Sequence, residues 1–462
     1  AETAAVVNRL QATALETTGV PLLVATDQEG GIVSRLRQGF TAWPNMMALA
    51  ATRDPALAER VGAAMAEELR AVGINMDLAP VADVLSNPSN AVISVRSFGS
   101  VPPLVAQFSA ALRRGLQAVG GIATAKHFPG HGGTTEDSHL QLPSDTRSRA
   151  GLEADLLPFA TLIADGVDAV MTAHVVYPSL SGDGQAATFS YAIVTGLLRR
   201  EMGFEGVVLS DAMSMGAVLE QYPLEQAVER AITAGVDMLT FGRGVTPEQQ
   251  LAAIAHTVRL VQLLILDEGR INESARRILA LKSRYGVLDW SPVEPGTVTF
   301  DREAHQALSY EVSAYALTLL RDRGGLLPLD PDGPVTVVYP LNASGTPAAF
   351  RAFDPDVALV GISERVTQAD WDGVMAAAEA EGTVVILTQD AWFNADQAAL
   401  ARALPVERTV AVAIRSPYDL LAYPDIGTYL LTYSGHDQAL SALARMLYGH
   451  VGAPGRIPVD LP

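Results

Sequence analysis

Short apolar runs that alternate with helical stretches and close on a polar residue predict an α/β protein whose first part is a parallel (β/α) barrel. A Pro- and Gly-rich segment, SPVEPGTVTF at 291–300, reads as a linker. A second series of apolar runs beyond it predicts a doubly wound α/β sandwich. The expected organisation is therefore a barrel of the TIM type over residues 1–290, the linker, and the sandwich over 301–462. A chain of 462 residues also exceeds what one core usually supports, about 250 residues even for a barrel.

The barrel elements come in order. AETAAVVNRLQATALE reads as an amphipathic helix, and PLLVATD then ends on Asp27. GINMD ends on Asp77, GIATAKH on Lys126 and His127, DAVMTAH on His174 and GVVLSD on Asp211, with VDMLTF at 236–241 as a sixth strand. Strands covered by helices on both faces are continuously apolar, as these are, and right-handed crossovers wind them into a parallel sheet. A closed barrel has eight strands, so its first would precede Ala1. The helix ESARRILALKSRYGVLDW carries the chain to about 290. In the sandwich, VTVVYP, DVALVGI, TVVILTQD, RTVAVAI and TYLLTYS are the strands. No Gly-rich dinucleotide fingerprint follows the first of them.

Composition narrows the function. Hydrophobic residues make up 49% and charged residues 18%, as suits a well-buried globular enzyme. A net charge of -19 disfavours nucleic acid and anionic membrane as partners, because polyanions are repelled at long range. Small molecules and neutral polymers remain. With no cysteine there are no disulfides, thiol catalysis or cysteine-bound zinc, although this does not decide the compartment, cytoplasmic or secreted. No apolar run reaches the roughly 18 residues needed to span a bilayer. The oligomeric state is not legible.

The densest polar constellation is KHFPGHGGTTEDSH, residues 126–139, holding three of the eight histidines. Pro129, Gly130, Gly132 and Gly133 rule out a continuous helix and let the backbone turn tightly over a ligand. Two chemistries compete here. His127, His131, His139 and Asp137 are metal-ligand types, as in barrel metallohydrolases. Alternatively Asp137 orients His139, whose other ring nitrogen then donates a proton. Asp211, a lone carboxylate at the next strand end but one, suits a nucleophile and tips the balance to the second; as a bland alternative it caps a following helix, AMSMGAVLEQ.

At these residues the chain resembles glycoside hydrolase family 3, in particular its NagZ-type β-N-acetylglucosaminidases. The motifs are DQEGG at 27–31, APVADV at 79–84, RSFG at 96–99, KHFPGHG with DSH at 137–139, MTAHVVYP at 171–178, GFEGVVLSDAMSM ending at Met215, and the C-terminal GRIPVDLP. The resemblance implies a retaining hydrolase that removes terminal β-linked N-acetylglucosamine, as from peptidoglycan or chitin fragments. It implies Asp211 as nucleophile and His139 with Asp137 as acid/base. Asp27, Arg35, Arg96, Lys126, His127 and Met213 would contact the sugar, with His131 and His174 behind them.

No cofactor or metal is implied, and the expected partner is a small carbohydrate. Ile32 stands where the family commonly has Arg, and Gly133 where an Asp is common. A β-glucosidase or a phosphorolytic enzyme of the same family is the near alternative. A metal-dependent barrel hydrolase and a non-catalytic sugar-binding protein are the distant ones. For the second domain the sequence names no site residue, though RSPYD at 415–419 follows a strand.

Overall fold

The computed structural model describes residues 1–294, 299–330 and 332–461. Residues 295–298 of the expected linker lie outside them. The chain forms two compact units, one of residues 1–29, 58–93 and 102–300, the other of 30–57, 94–101 and 301–462.

The first unit carries a parallel sheet of the (β/α)-barrel type. Its strands are β1 (Ala25–Thr26), β2 (Met76–Asp77), β3 (Ile122–Phe128), β4 (Ala169–Thr172), β5 (Val207–Ala212) and β6 (Met238–Thr240), paired in chain order. Register runs from Ala25 to Met76, Met76 to Ile122, Thr124 to Ala169, Ala169 to Val207 and Leu209 to Met238. All six apolar runs of the sequence are strands, some shorter than their apolar length. Among the described residues β1 and β6 are the sheet's edges.

Side-chain alternation sorts the strands into two faces. Ala169, Met171, Val207 and Leu209 join Met76 and Ile122 in one buried cluster. Val170 and Val208, one residue out of phase, pack instead against helix residues such as Ile193, Leu197, Ala227 and Ala231. Asp211 stands at the end of β5, where the register with β6 shifts between Leu209 and Ala212.

Helix boundaries follow local chemistry. Ser148 caps Arg149–Ala164 by accepting from Gly151 N–H, and Thr246 with Gln249 forms a capping box at Pro247–Gln262. Gly19, at φ 71°, ends the first helix, Glu2–Thr18. Two glycines matter for packing. A Cβ on Gly62 would stand 2.3 Å from the Leu112 carbonyl oxygen, and one on Gly115 1.9 Å from that of Glu59. The helices Pro55–Ala71 and Pro102–Ala118 thus meet backbone to backbone.

In the second unit the strands are β7 (Thr318–Asp322), β8 (Val335–Pro340), β9 (Ala358–Ile362), β10 (Thr383–Thr388), β11 (Thr409–Ala413) and β12 (Thr428–Leu431). Their order is β9-β8-β10-β11-β12-β7, parallel except for β7 against β12. The edge strand β7 was not expected from sequence. TLLRD is short, half polar and follows directly on the helix Arg302–Ala316, so no periodicity marks it. Nor does the sequence show that 30–57 belongs to this unit. Asn45 secures it there: its N–H donates to Ser434 Oγ at 2.7 Å and its Nδ2 to the Tyr433 carbonyl at 2.6 Å.

Gly115→Ala is expected to force the two helices apart and lower unfolding free energy by about 1–3 kcal/mol, the usual cost of overpacking. Denaturant unfolding of the intact chain measures it; an unchanged midpoint would mean the backbones are not in contact.

Candidate active site

Lys126 lies near the end of β3 with its side chain 2% exposed. A buried ammonium needs paired anions, and it has two: Asp27 Oδ1 at 2.8 Å and Glu29 Oε1 at 2.6 Å. Glu29 belongs to the DQEGG run but carried no role in the sequence reading. Asp77, at the end of β2, is also buried; its Oδ1 accepts from Gln28 N–H at 3.0 Å and its Oδ2 has no partner. Burial, aided by the nearby Asp27 and Glu29, pushes its carboxyl well above the usual range, against the opposing pull of the Gln28 N–H and Lys126.

Beyond Lys126 the loop winds around Asp83, which is fully buried. Asp83 Oδ1 accepts from His127 N–H at 3.1 Å and His131 N–H at 2.7 Å, and its Oδ2 lies 2.7 Å from His127 Nδ1. Burial alone would raise this carboxyl, but His127 and the N–H donors outweigh it and hold it below the ordinary value. Asp83 was missed as a site residue because it lies within an apolar motif, APVADV, with no polar neighbour to mark it.

Both nitrogens of His131 are taken, Nε2 by Ser138 Oγ and Nδ1 by Thr134 Oγ1, each at 2.9 Å. Burial, with His127 nearby, brings its pKa down to about 4, so at neutral pH it is uncharged. Its place is internal to the loop. Asn90 adds a bond from Nδ2 to the His131 carbonyl at 2.8 Å. Gly132 presses against the Val84 carbonyl, which a Cβ would meet at 1.7 Å.

The far end of the loop carries Asp137 and His139. Asp137 Oδ1 is 2.8 Å from both His139 N and His139 Nδ1. The His139 side chain is 62% exposed, leaving Nε2 open to an incoming group. The loop is joined to the segment after β5: Gly216 N–H donates to the His139 carbonyl at 3.1 Å and Ala217 N–H to that of Ser138 at 3.3 Å. A Cβ on Gly216 would stand 2.5 Å from the Leu140 carbonyl oxygen and 2.9 Å from that of His139.

Asp211 closes β5. Burial works to raise its carboxyl, yet His127, His174, the Ala212 N–H at 2.7 Å and Lys126 together lower it below the usual range, so it is an anion. It caps no helix. The following helix is only Gly216–Leu219, with Met215 at its N-cap position. His174 is buried, stacks on Phe189 and has a lowered pKa, chiefly from burial. Its Nε2 faces the Ala212 carbonyl at 3.2 Å, which only accepts, so that nitrogen carries the proton; Nδ1 meets Thr188 Oγ1 at 2.9 Å. Met213 is buried, its N–H bonded to the Thr240 carbonyl at 2.7 Å.

The comparisons with known proteins point one way. The model of the glycosyl hydrolase family 3 N terminal domain matches residues 1–281. A β-hexosaminidase A of Pseudoalteromonas piscicida is 30% identical over 523 residues, covering 98% of this chain and 86% of that one. A β-N-acetylglucosaminidase/β-glucosidase of Cellulomonas fimi is 30% identical over 500 residues, covering 100% and 86%. The solved family 3 β-N-acetylglucosaminidase of Paenibacillus sp. str. FPU-7 superposes with a TM-score of 0.93 at 37% identity, over 99% of this chain and 90% of that one. The chain belongs to glycoside hydrolase family 3.

In this family 3 chain the structure brings Asp27 together with Lys126, and Asp137 with His139. It places Asp211, Met213 and His174 around the end of β5. Arg35 is exposed and Arg96 is buried in the 3-10 turn Ser94–Arg96; both belong to the second compact unit. Among the described residues no group of three or more His, Asp or Glu side chains is arranged to hold a metal ion, and the ring nitrogens of His131 already meet hydroxyls. No helix among the described residues is long and apolar enough to cross a membrane.

Two expectations follow. Gly216→Ala should displace the Asp137–His139 loop and lower turnover by about tenfold to a hundredfold with little change in thermal stability; unaltered kcat would show that this approach does not position His139. For His131, the folded value of about 4 lies below the ordinary 6.5. On acidification the unfolded chain takes the proton first, so this histidine's contribution to stability is whole above about pH 6.5 and is lost progressively down to about pH 4. Nitrogen-15 spectra of the folded protein should accordingly keep the His131 ring in its neutral form to about pH 4.

Proposed function

We propose that this enzyme releases terminal β-linked N-acetylglucosamine with retention of configuration, using Asp211 as nucleophile and His139, oriented by Asp137, as acid/base. The observation that carries the proposal is the hydrogen-bonded Asp137–His139 pair, with its outer ring nitrogen open, on a loop tied through Gly216 to the segment that follows Asp211.

In the first step Asp211 attacks the anomeric carbon while protonated His139 gives its proton to the leaving oxygen, and the C–O bond breaks. A covalent glycosyl-enzyme results. Neutral His139 then takes a proton from water, which attacks the same carbon and releases Asp211, so two inversions give net retention. The ionised state of Asp211 suits attack. Lys126, shared between Asp27 and Glu29, would hold those carboxylates toward sugar hydroxyls, with His127 fixed by Asp83 beside them. Met213, Arg35 and Arg96 complete the proposed sugar-binding set.

N-acetylglucosamine as the glycone rests on the motifs and on the relatives' own activities. A leaving sugar that bears a carboxylate, as in peptidoglycan fragments, is better tolerated by an imidazolium acid than by a carboxylic acid, whose conjugate base would repel it. Chitin fragments are the neutral counterpart. The Cellulomonas relative, whose name joins both activities, keeps glucoside hydrolysis as a second reading.

The test compares p-nitrophenyl β-N-acetylglucosaminide with the glucoside, with and without phosphate. N-acetylglucosaminide is the expected preferred substrate, with release independent of phosphate. Asp211→Ala should lose at least about a thousandfold in kcat, and His139→Ala about a hundredfold or more on a substrate with a poor leaving group. A glucoside preference would reverse the substrate assignment. Normal turnover by Asp211→Ala would sink the covalent mechanism.

A further inference from the structure

The sheet of the second unit reverses direction between β8 and β10: the chain leaves β8 for β9 on one side, then crosses to β10 on the other. In doubly wound sheets, ligands bind in the crevice outside the carboxyl ends of the strands at such a reversal. A cavity of about 360 Å³ lies there. Asn342 follows β8, Gln389 follows β10, Arg415 follows β11, and Ser434 with His436 follows β12; all five line it.

The wall is electrostatically unlike the rest of the chain. Among the described residues Arg37 and Arg415 line the cavity and no carboxylate does, in a protein of net charge -19. Arg415 Nη1 meets Asp390 Oδ2 at 2.9 Å, while its Nε is buried without a partner. The 11-residue helix Asp437–Leu447 begins at His436, whose side chain makes no capping bond, so its first N–H groups and dipole also favour an anion. Asp437 in that first turn is exposed and lies outside the wall.

His436 adds a complementary feature. Its Nε2 faces Ser309 Oγ at 3.2 Å and Ser313 Oγ at 3.4 Å, and those hydroxyls spend their protons on the Ala42 and Ser309 carbonyls, both at 2.7 Å. Nε2 therefore carries the ring proton, and Nδ1 is a lone pair with no partner. Burial holds this ring neutral, with a pKa of about 4. Trp43, 2% exposed, lines the same cavity with its indole N–H also unpartnered. The two arginines and the helix terminus, beside the polar Asn342, Gln389 and Ser434 at the strand ends, match a small sugar that bears an acidic group.

Backbone strain gathers at the same place. Tyr433 and Asp390, next to Ser434 and Gln389, have φ of 59° and 60°, a region bulky side chains rarely adopt and one that tends to persist at ligand sites. Ile32, Ser34 and Leu36 line the cavity, whereas Val33 and Arg35 between them do not.

We propose that this cavity is a second ligand site of the enzyme, taking a small sugar that carries a carboxylate or a phosphate. The assignment does not depend on the roles of Asp211 and His139.

Calorimetric titration of the full chain with glucuronate, glucose 6-phosphate and glucose tests it. At least one of the two anions should bind with a Kd of about 1 mM or tighter, and at least about tenfold more tightly than glucose. Binding of glucuronate alone, or of glucose 6-phosphate alone, identifies which acidic group the site takes. Asn342→Asp, an exposed position, and Arg37→Gln should each weaken that anion at least about tenfold while the thermal transition stays in place. Asp211→Ala should leave it unchanged, whatever happens to glycoside hydrolysis. Binding of neither anion, equal binding of glucose, indifference to both cavity variants, or loss in Asp211→Ala would each overturn the proposal.

Discussion

The first unit of this molecule depends on one buried anion, Asp83. A carboxylate removed from water must be compensated by close donors or lose its charge. Asp83 is compensated by two backbone N–H groups and the His127 ring, all on the stretch from His127 to His131. The compensation works in both directions. The charge survives burial because the loop wraps it, and the loop keeps one path because only that path brings both N–H groups to a single oxygen. The apparent density of histidines in the loop is thereby resolved into separate duties: His127 faces Asp83, His131 ties the loop internally, and His139 remains open at its end.

Glycine makes that path possible. Gly132 lies against the Val84 carbonyl and Gly216 against the carbonyls of His139 and Leu140. These contacts join three chain segments, those after β2, β3 and β5, by backbone rather than by side chains. Such joints place His139 relative to the strand that bears Asp211 without rigid packing around the ring, consistent with the exposure of its side chain. An exposed imidazole on a loop and an anion on a strand would suit the proposed reaction, in which the same histidine first gives and then takes a proton.

The second unit uses the same physics for a different purpose. Strand ends again gather polar groups, but here, among the described residues, no carboxylate lines the cavity, and Arg415 Nε and the Trp43 indole N–H have no partner. Unmet polar groups are costly when buried, and their concentration at the reversal of the sheet is what distinguishes this crevice from a packing defect.

The sequence alone was enough to determine the parallel strands of both sheets, since continuous apolar runs between helical stretches follow from burial on both faces. It also determined the family and the Asp137–His139 pair, two residues apart and therefore held together by local geometry. It did not reveal β7, whose antiparallel place comes from pairing with a strand more than a hundred residues away, nor the membership of 30–57 in the second unit. It could not single out Asp83 or Glu29 either. A buried carboxylate becomes functional through the partners that reach it, and those partners, His127 with His131 and Lys126, come from distant segments that only tertiary folding assembles.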